Sequence, residues 1–296
     1  MNKLGIYFAY WTKEWKADFL YYLEKAERLG FDVLEVSAAC LGDMPAEKRA
    51  ELKKAAEDKG IELTYCIGLP ADRDPASDDA AIRSKGVEYI KKTLEVIYGM
   101  GGRVFGGINY ASWPGLPHKG MEDKRPFLER SVASMREVIK SAEDFGILYC
   151  VEVVNRFEQF LINTAAEGVA YVEAVRSPNI KLLLDTFHMN IEEDSIKEAI
   201  ITSGSYLGHF HIGEANRKAP GKGRMPWNEI IGALGEINYQ GRLVMEPFVR
   251  MGGEVGRDIR VWRDLSGGAD EAGLDADASN ALHFIRDKLI KDIVKK

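Results

Sequence analysis

The chain has 296 residues, 46% of them hydrophobic and 29% charged, and a formal net charge of −6. That balance suits an ordinary globular protein with a sizeable core, and it excludes a disordered or fibrous chain. It also argues against nucleic acid as a partner, because phosphate backbones are held mainly by Lys and Arg.

Cys40, Cys66 and Cys150 are widely spaced and form no CxxC pair, which speaks against a disulfide frame or a thiolate zinc site. The N-terminal residues 1–8 are too short and too aromatic a stretch for a secretory leader. No apolar run reaches the roughly 20 residues that a membrane span requires. The expectation is a cytoplasmic protein with no membrane partner.

Eight short apolar runs alternate with stretches of helical period. The predicted strands are Leu4–Ala9, Val33–Ala38, Glu62–Gly68, Arg103–Asn109, Leu148–Val154, Lys181–Thr186, Leu207–Ile212 and Arg242–Pro247. Helices are expected over Lys13–Leu29, Ala46–Lys59, Asp78–Met100, Pro126–Phe145, Ala165–Arg176, Ser195–Thr202 and Trp227–Ile237, with an eighth inside Asp275–Val294. Gly30, Gly60, Gly101 and Gly146 mark helix ends. This alternation predicts an α/β fold, a (β/α)8 TIM barrel, as a single domain over 1–296. The long connections Leu69–Ser77, Tyr110–Arg125, Asn155–Asn163, Phe187–Asp194 and Gly213–Met225 all follow strand C-termini, the functional side of such a barrel. The acidic 267–277 segment and the lysine-rich end 287–296 read as solvated surface.

Two glycine-rich stretches carry no nucleotide signal. Gly221-Lys222-Gly223 lacks the upstream Gly and following Ser or Thr of a phosphate loop, and Gly252-Gly253-Glu254-Val255-Gly256 opens no helix within a βαβ unit.

Strands five to eight each end in a group able to bind a metal: Glu152, Asp185, His211 and Glu246. Singly, a Glu or Asp here reads more readily as a helix cap, and a His as a hydrogen-bonded core residue, than as a ligand. Their matched positions on consecutive strands bring four ligands together if the register holds. Three carboxylates and one imidazole suit a hard to borderline divalent ion such as Mn²⁺, Co²⁺ or Mg²⁺. His209, two residues before His211, points the same way one layer deeper and suits a supporting role. His118 and His283 receive no role.

Several motifs together resemble the D-tagatose 3-epimerase and D-psicose (D-allulose) 3-epimerase family of the xylose-isomerase-like barrels. They are Gly5-Ile6-Tyr7, Glu152 with Asn155-Arg156-Phe157-Glu158, Leu184 through Glu193, Gly208-His209-Phe210-His211, Gly213-Glu214, Asn216-Arg217, Met245-Glu246-Pro247-Phe248 and Val261-Trp262-Arg263-Asp264. The resemblance implies a Mn²⁺ or Co²⁺ site made by Glu152, Asp185, His211 and Glu246. It implies that Glu158, His188 and Arg217 hold the O1 to O3 end of a ketohexose, and that Tyr7, Trp113 and Phe248 shape the rest of the pocket. A homodimer or homotetramer is implied as well. The chain departs from the family pattern at Cys66-Ile67-Gly68-Leu69-Pro70, at Asn109-Tyr110-Ala111-Ser112-Trp113 and at Ile212, positions expected to line the distal end of the sugar.

The activity so implied interconverts D-fructose and D-psicose, with D-tagatose and D-sorbose as further substrates. Inversion at C3 asks for acid–base groups on both faces, and Glu152 and Glu246, at the ends of the four-strand arc, fit that demand. Trp11 and Trp15 read as either core or lid. Three rival readings are an aldose–ketose isomerase of the sugar or hydroxypyruvate type, an endonuclease IV-like DNA repair enzyme and a non-catalytic sugar-binding protein. The repair enzyme would need more histidines than the five present.

Overall fold

A computed structural model describes residues 1–117 and 120–295. Its eight strands pair in chain order, all parallel, and close into one barrel, β1-β2-β3-β4-β5-β6-β7-β8. They are β1 (Leu4–Tyr7), β2 (Val33–Ser37), β3 (Glu62–Leu69), β4 (Val104–Ser112), β5 (Leu148–Val153), β6 (Ile180–Asp185), β7 (Leu207–Ile212) and β8 (Leu243–Met245). Strands buried on both faces need side chains that are apolar throughout, which is why the runs could be read from sequence. The (β/α)8 barrel expected from the alternation is the fold observed.

The surrounding helices are α1 (Phe19–Leu29), α2 (Ala46–Lys59), α3 (Ala80–Gly99), α4 (Arg125–Phe145), α5 (Ala165–Val175), α6 (Thr186–Glu192), α7 (Ile196–Ser203), α8 (Trp227–Glu236), α9 (Gly253–Asp258) and α10 (Glu271–Lys295). Gly30 and Gly146 end α1 and α4 in the left-handed conformation, at φ 85° and 61°, and each N–H closes the last turn. Buried Lys25 of α1 pairs with Glu271 and Asp275 of α10. The acidic first turns of α10 therefore tie the last helix to the first.

Three local expectations need correction. The first helix begins at Phe19, not Lys13, because Asp18 accepts the Leu20 N–H as its cap and the preceding residues turn toward the barrel mouth. Phe187–Asp194, expected as a loop, is mostly the helix α6; Asp185 caps it by accepting the Phe187 N–H at 2.8 Å. Gly252–Gly256 opens the short helix α9 after β8, but among the described residues no strand follows it, so it stands outside any βαβ unit, as expected. Strand β8 stops at Met245, so Glu246 stands one residue beyond it.

Candidate active site

The C-terminal ends of the strands surround a cavity of about 290 Å³. Glu152 near the end of β5, Asp185 at the end of β6, His211 near the end of β7 and Glu246 just past β8 are all buried. One ligand atom from each lies within 4.8 Å of the other three. The four residues placed together by strand alternation are thus together in space. His211 Nδ1 faces Glu246 Oε1 at 3.5 Å and Glu152 Oε1 at 3.9 Å and is buried without a hydrogen-bond partner among the described residues.

Three carboxylates this close, out of water, repel one another. Burial, then the charge of Glu246, pushes the Glu152 carboxyl well above its ordinary range. Burial and Asp185 raise Glu246 to about 7, against the opposing pull of His211. Although burial acts the other way, Glu35 and the facing glutamates lift His211 to about 10. A divalent cation would relieve all three effects at once, and the orphaned Nδ1 together with the oxygen-rich donor set fits one.

Beside this cluster lies a second group. Arg217 is buried; its Nη1 donates to Asp185 Oδ2 at 3.1 Å and Glu246 Oε2 at 3.2 Å, and its Nη2 lies 3.7 Å from Glu158 Oε1. The guanidinium stacks 3.7 Å from the Phe187 ring centroid, where cation–π attraction adds to the ion pairing. Glu158 accepts from Trp113 Nε1 and from Asn155 Nδ2, both at 3.0 Å. His188 Nδ1 receives the Asn155 side-chain amide at 2.7 Å and its backbone N–H at 3.3 Å. Nδ1 must therefore be the bare nitrogen, and Nε2 carries the proton toward Glu152 Oε1 and Asp185 Oδ2, 3.7 and 3.9 Å away. Burial holds the His188 pKa below its ordinary value, so the ring stays neutral.

An aromatic wall closes one side. Tyr7, Trp15 and Phe248 have ring centroids 6.1 to 6.4 Å apart, and Trp15 donates its indole N–H to Asp258 of α9 at 2.8 Å. Trp15 thus lines the pocket, whereas Trp11 is buried core. Trp113 forms the opposite wall, packed so closely on Gly68 that a Cβ there would lie 2.8 Å from the indole.

The residues expected at the distal end of the sugar divide between cavity and core. Cys66, Ile67, Gly68, Pro70 and Trp113 line the cavity, but Leu69, Asn109, Tyr110, Ala111, Ser112 and Ile212 do not. Ile212 is buried in the apolar core, since its side chain lies on the opposite face of β7 from His211. His118 lies outside the described residues, and His283 is exposed on α10, bonded to Ser279 O.

Three supporting residues escaped the sequence reading. Asn155 sets the His188 tautomer as above. Buried Glu214 accepts the backbone N–H groups of Gly221 and Met225 and the Trp227 indole N–H at 2.7 to 3.0 Å. The glycine-rich 221–223 turn therefore wraps a carboxylate, which leaves no room for a phosphate. The same loop holds Arg217 at φ 61°, through its N–H to Glu214 O and its C=O from the Phe248 N–H, both at 2.9 Å. Glu35 of β2 is the third; it is fully buried against His209 and His211. Burial alone would raise its pKa, but the two histidines hold it below the usual carboxylate range.

A closed parallel barrel whose mouth holds a carboxylate–imidazole cluster beside a small aromatic-walled pocket defines a class: cation-assisted barrel enzymes acting on small polar molecules. Residues 23–265 match the family described as xylose isomerase-like TIM barrel. The chain is 52% identical over 284 residues to the D-psicose 3-epimerase of Ruminiclostridium cellulolyticum, covering 96% of this chain and 97% of that one. It is 49% identical to the D-psicose 3-epimerase of Agrobacterium fabrum, over 96% of this chain and 98% of that one. The crystal structure of a D-psicose 3-epimerase with D-tagatose from Clostridium cellulolyticum H10 superposes with a TM-score of 0.94 at 52% identity, covering 97% and 99% of the two chains. The chain belongs to the ketose 3-epimerases of the xylose isomerase-like TIM barrel family.

Proposed function

We propose that this protein is a ketose 3-epimerase that interconverts D-fructose and D-psicose, accepts D-tagatose and D-sorbose as further substrates, and uses Mn²⁺ or Co²⁺. The observation that carries this reading is the pairing of Glu152 and Glu246. Both are buried at the mouth, where burial and the neighbouring carboxylates raise the proton affinity of each above the ordinary carboxylate range. A C–H next to a carbonyl needs a base on one face and an acid on the other if its configuration is to invert, and these two groups supply them. Glu152, Asp185, His211 and Glu246 would hold the ion. Bound there, a divalent cation supplies Lewis-acid stabilisation of the negative charge that develops on the substrate as C3 loses its proton.

The chain's own residues do the rest. One glutamate takes the C3 proton, leaving an enediolate across C2 and C3, and the other delivers a proton to the opposite face; the roles exchange in the reverse direction. The His188 Nε2–H and the Arg217 guanidinium donate to the oxygens of the O1 to O3 end, and Glu158 accepts from a hydroxyl there. Tyr7, Trp113 and Phe248 pack against the sugar's C–H faces and keep water from the reacting carbon.

The test is a ketohexose panel with metal withdrawal and add-back. D-fructose should give D-psicose, activity should vanish with EDTA, and Mn²⁺ or Co²⁺ should restore it. An aldose product in place of D-psicose would replace this reading with that of an aldose–ketose isomerase. The three free cysteines suit a reducing compartment, and we assign the enzyme to the cytoplasm as a homodimer or homotetramer, to be checked by sedimentation.

A further inference from the structure

Neither proton transfer nor sugar binding uses Glu35, yet it is a fully enclosed carboxylate beside the site. It stands in the middle of β2, on the face that points into the barrel, with no exposed surface. Its two oxygens cross the barrel interior to β7. Oε1 accepts from His211 Nε2 at 2.6 Å, while Oε2 accepts from His209 Nε2 and from the Thr64 hydroxyl, both at 2.8 Å.

Burying a carboxylate is costly unless every oxygen is satisfied, and here three donors satisfy it. Two come from strand β7, remote in sequence, and one from the neighbouring strand β3. Glu35, Cys66 and His211 also lie within 4.8 Å of one another. Because the Glu35 oxygens already accept three hydrogen bonds, that triad supports the quartet and does not form a second cation site.

A carboxylate accepting from a ring nitrogen requires the proton on that nitrogen. Both Nε2 atoms therefore carry protons, and Nδ1 is the nitrogen of His211 left facing Glu152 and Glu246. We propose that Glu35 is a positioning residue for the cation site: it fixes the His211 ring in the one orientation and proton arrangement that offers Nδ1 to a divalent cation. Thr64 and His209 hold Glu35 itself in place. This explains His209, which lies on the same face as His211 and too deep to join the quartet; its ring meets that of His211 edge-on at 5.2 Å. The inference rests on the reading of His211 as a ligand.

Glu35→Gln tests it with little change of shape. An amide offers one oxygen and one N–H₂ group, so it cannot accept from both histidines. If its N–H₂ faces His211, the His211 proton moves to Nδ1, in the path of the cation. If it faces His209, the strut that fixes Glu35 is lost. The probe is Mn²⁺ alone, with free ion measured by electron paramagnetic resonance in parent and variant. The expected result is a Kd weakened about 10- to 100-fold, the usual effect of removing such a partner from a metal-binding histidine. At saturating Mn²⁺, kcat should recover toward the parent value. In Mg²⁺-loaded parent protein, two downfield ring N–H proton signals, from His209 and His211, should be visible, and both should shift in the variant.

A Mn²⁺ Kd within about threefold of the parent's, with unshifted ring N–H signals, would overturn the proposal even if the metal-free variant melts earlier. Failure of the parent to bind Mn²⁺ would instead overturn the reading of the quartet. Should Glu35→Gln not fold, Glu35→Asp, too short to reach both rings, is measured the same way. Thr64→Val removes one of the three donors but neither histidine, so it should weaken Mn²⁺ binding less than Glu35→Gln does, and a loss as large as that of Glu35→Gln would also count against the proposal.

Discussion

Asn155→Leu separates substrate positioning from cation binding. The side chains are close in size, and Asn155 is buried, so the substitution opens no large cavity. It removes the 2.7 Å amide contact to His188 Nδ1 and the 3.0 Å donor to Glu158 Oε1, as well as the acceptor of the Phe157 N–H. His188 then keeps only the 3.3 Å backbone donor and is free to swing or to move its proton to Nδ1. Leaving a buried polar group without its partner costs about 1–3 kcal/mol. Two such losses, at the groups proposed to hold O1 to O3, amount to about 2–6 kcal/mol, or about 30- to 10,000-fold in kcat/KM. The assay is initial-rate conversion of D-fructose to D-psicose at saturating Mn²⁺, with Mn²⁺ affinity measured in parallel. Asn155 makes no hydrogen bond to the four side chains proposed to hold the ion, so the Mn²⁺ Kd should stay within about threefold of the parent value. A kcat/KM equally close to the parent's would refute the claim that Asn155 fixes the His188 tautomer.

Other outcomes follow from the same geometry. Glu152→Gln and Glu246→Gln should each reduce turnover in both directions to background, because an amide neither accepts nor returns the C3 proton; substantial epimerisation by either variant would remove that residue from the proton path. Glu62 pairs with Arg242 at the base of the barrel and with Lys3 at 2.9 Å. Burial would raise its pKa, but these two cations hold it below the ordinary value. A depressed folded-state pKa stabilises the protein above the unfolded value of about 4.3 and ceases to do so as pH falls through the folded one. Glu62→Gln should therefore lower the melting temperature near neutrality and narrow the gap to the parent below about pH 4. An equal gap at both pH values would assign the loss to packing instead.

The barrel was legible because parallel strands buried on both faces read as apolar runs between helical stretches. The quartet was legible because strand alternation carries matched positions to matched places at the mouth. Residues whose meaning lies in a distant partner were less so. Glu35 interrupts the apolar run of β2, a visible signal, but its partners His209 and His211 are more than 170 residues away. Glu214 and Asn155 stand in quoted motifs, yet their tasks depend on how loops fold back. The start of α6 was missed because Asp185 is at once the last residue of a strand, a member of the quartet and a helix cap, and sequence period shows only the first of these. Lys13–Asp18 had helical period, but Trp15 is drawn to Asp258 and the pocket wall, so tertiary contact overrides local preference.

The central claim is that Glu152 and Glu246 exchange the C3 proton through opposite faces of a ketose. Incubating unlabelled D-fructose with the Mn²⁺-loaded enzyme in D₂O and analysing the D-psicose by mass and NMR spectroscopy tests it directly. One deuterium, at C3, is expected in each D-psicose molecule formed early in the reaction. D-psicose carrying its original hydrogen at C3, or deuterium at C1, would contradict it.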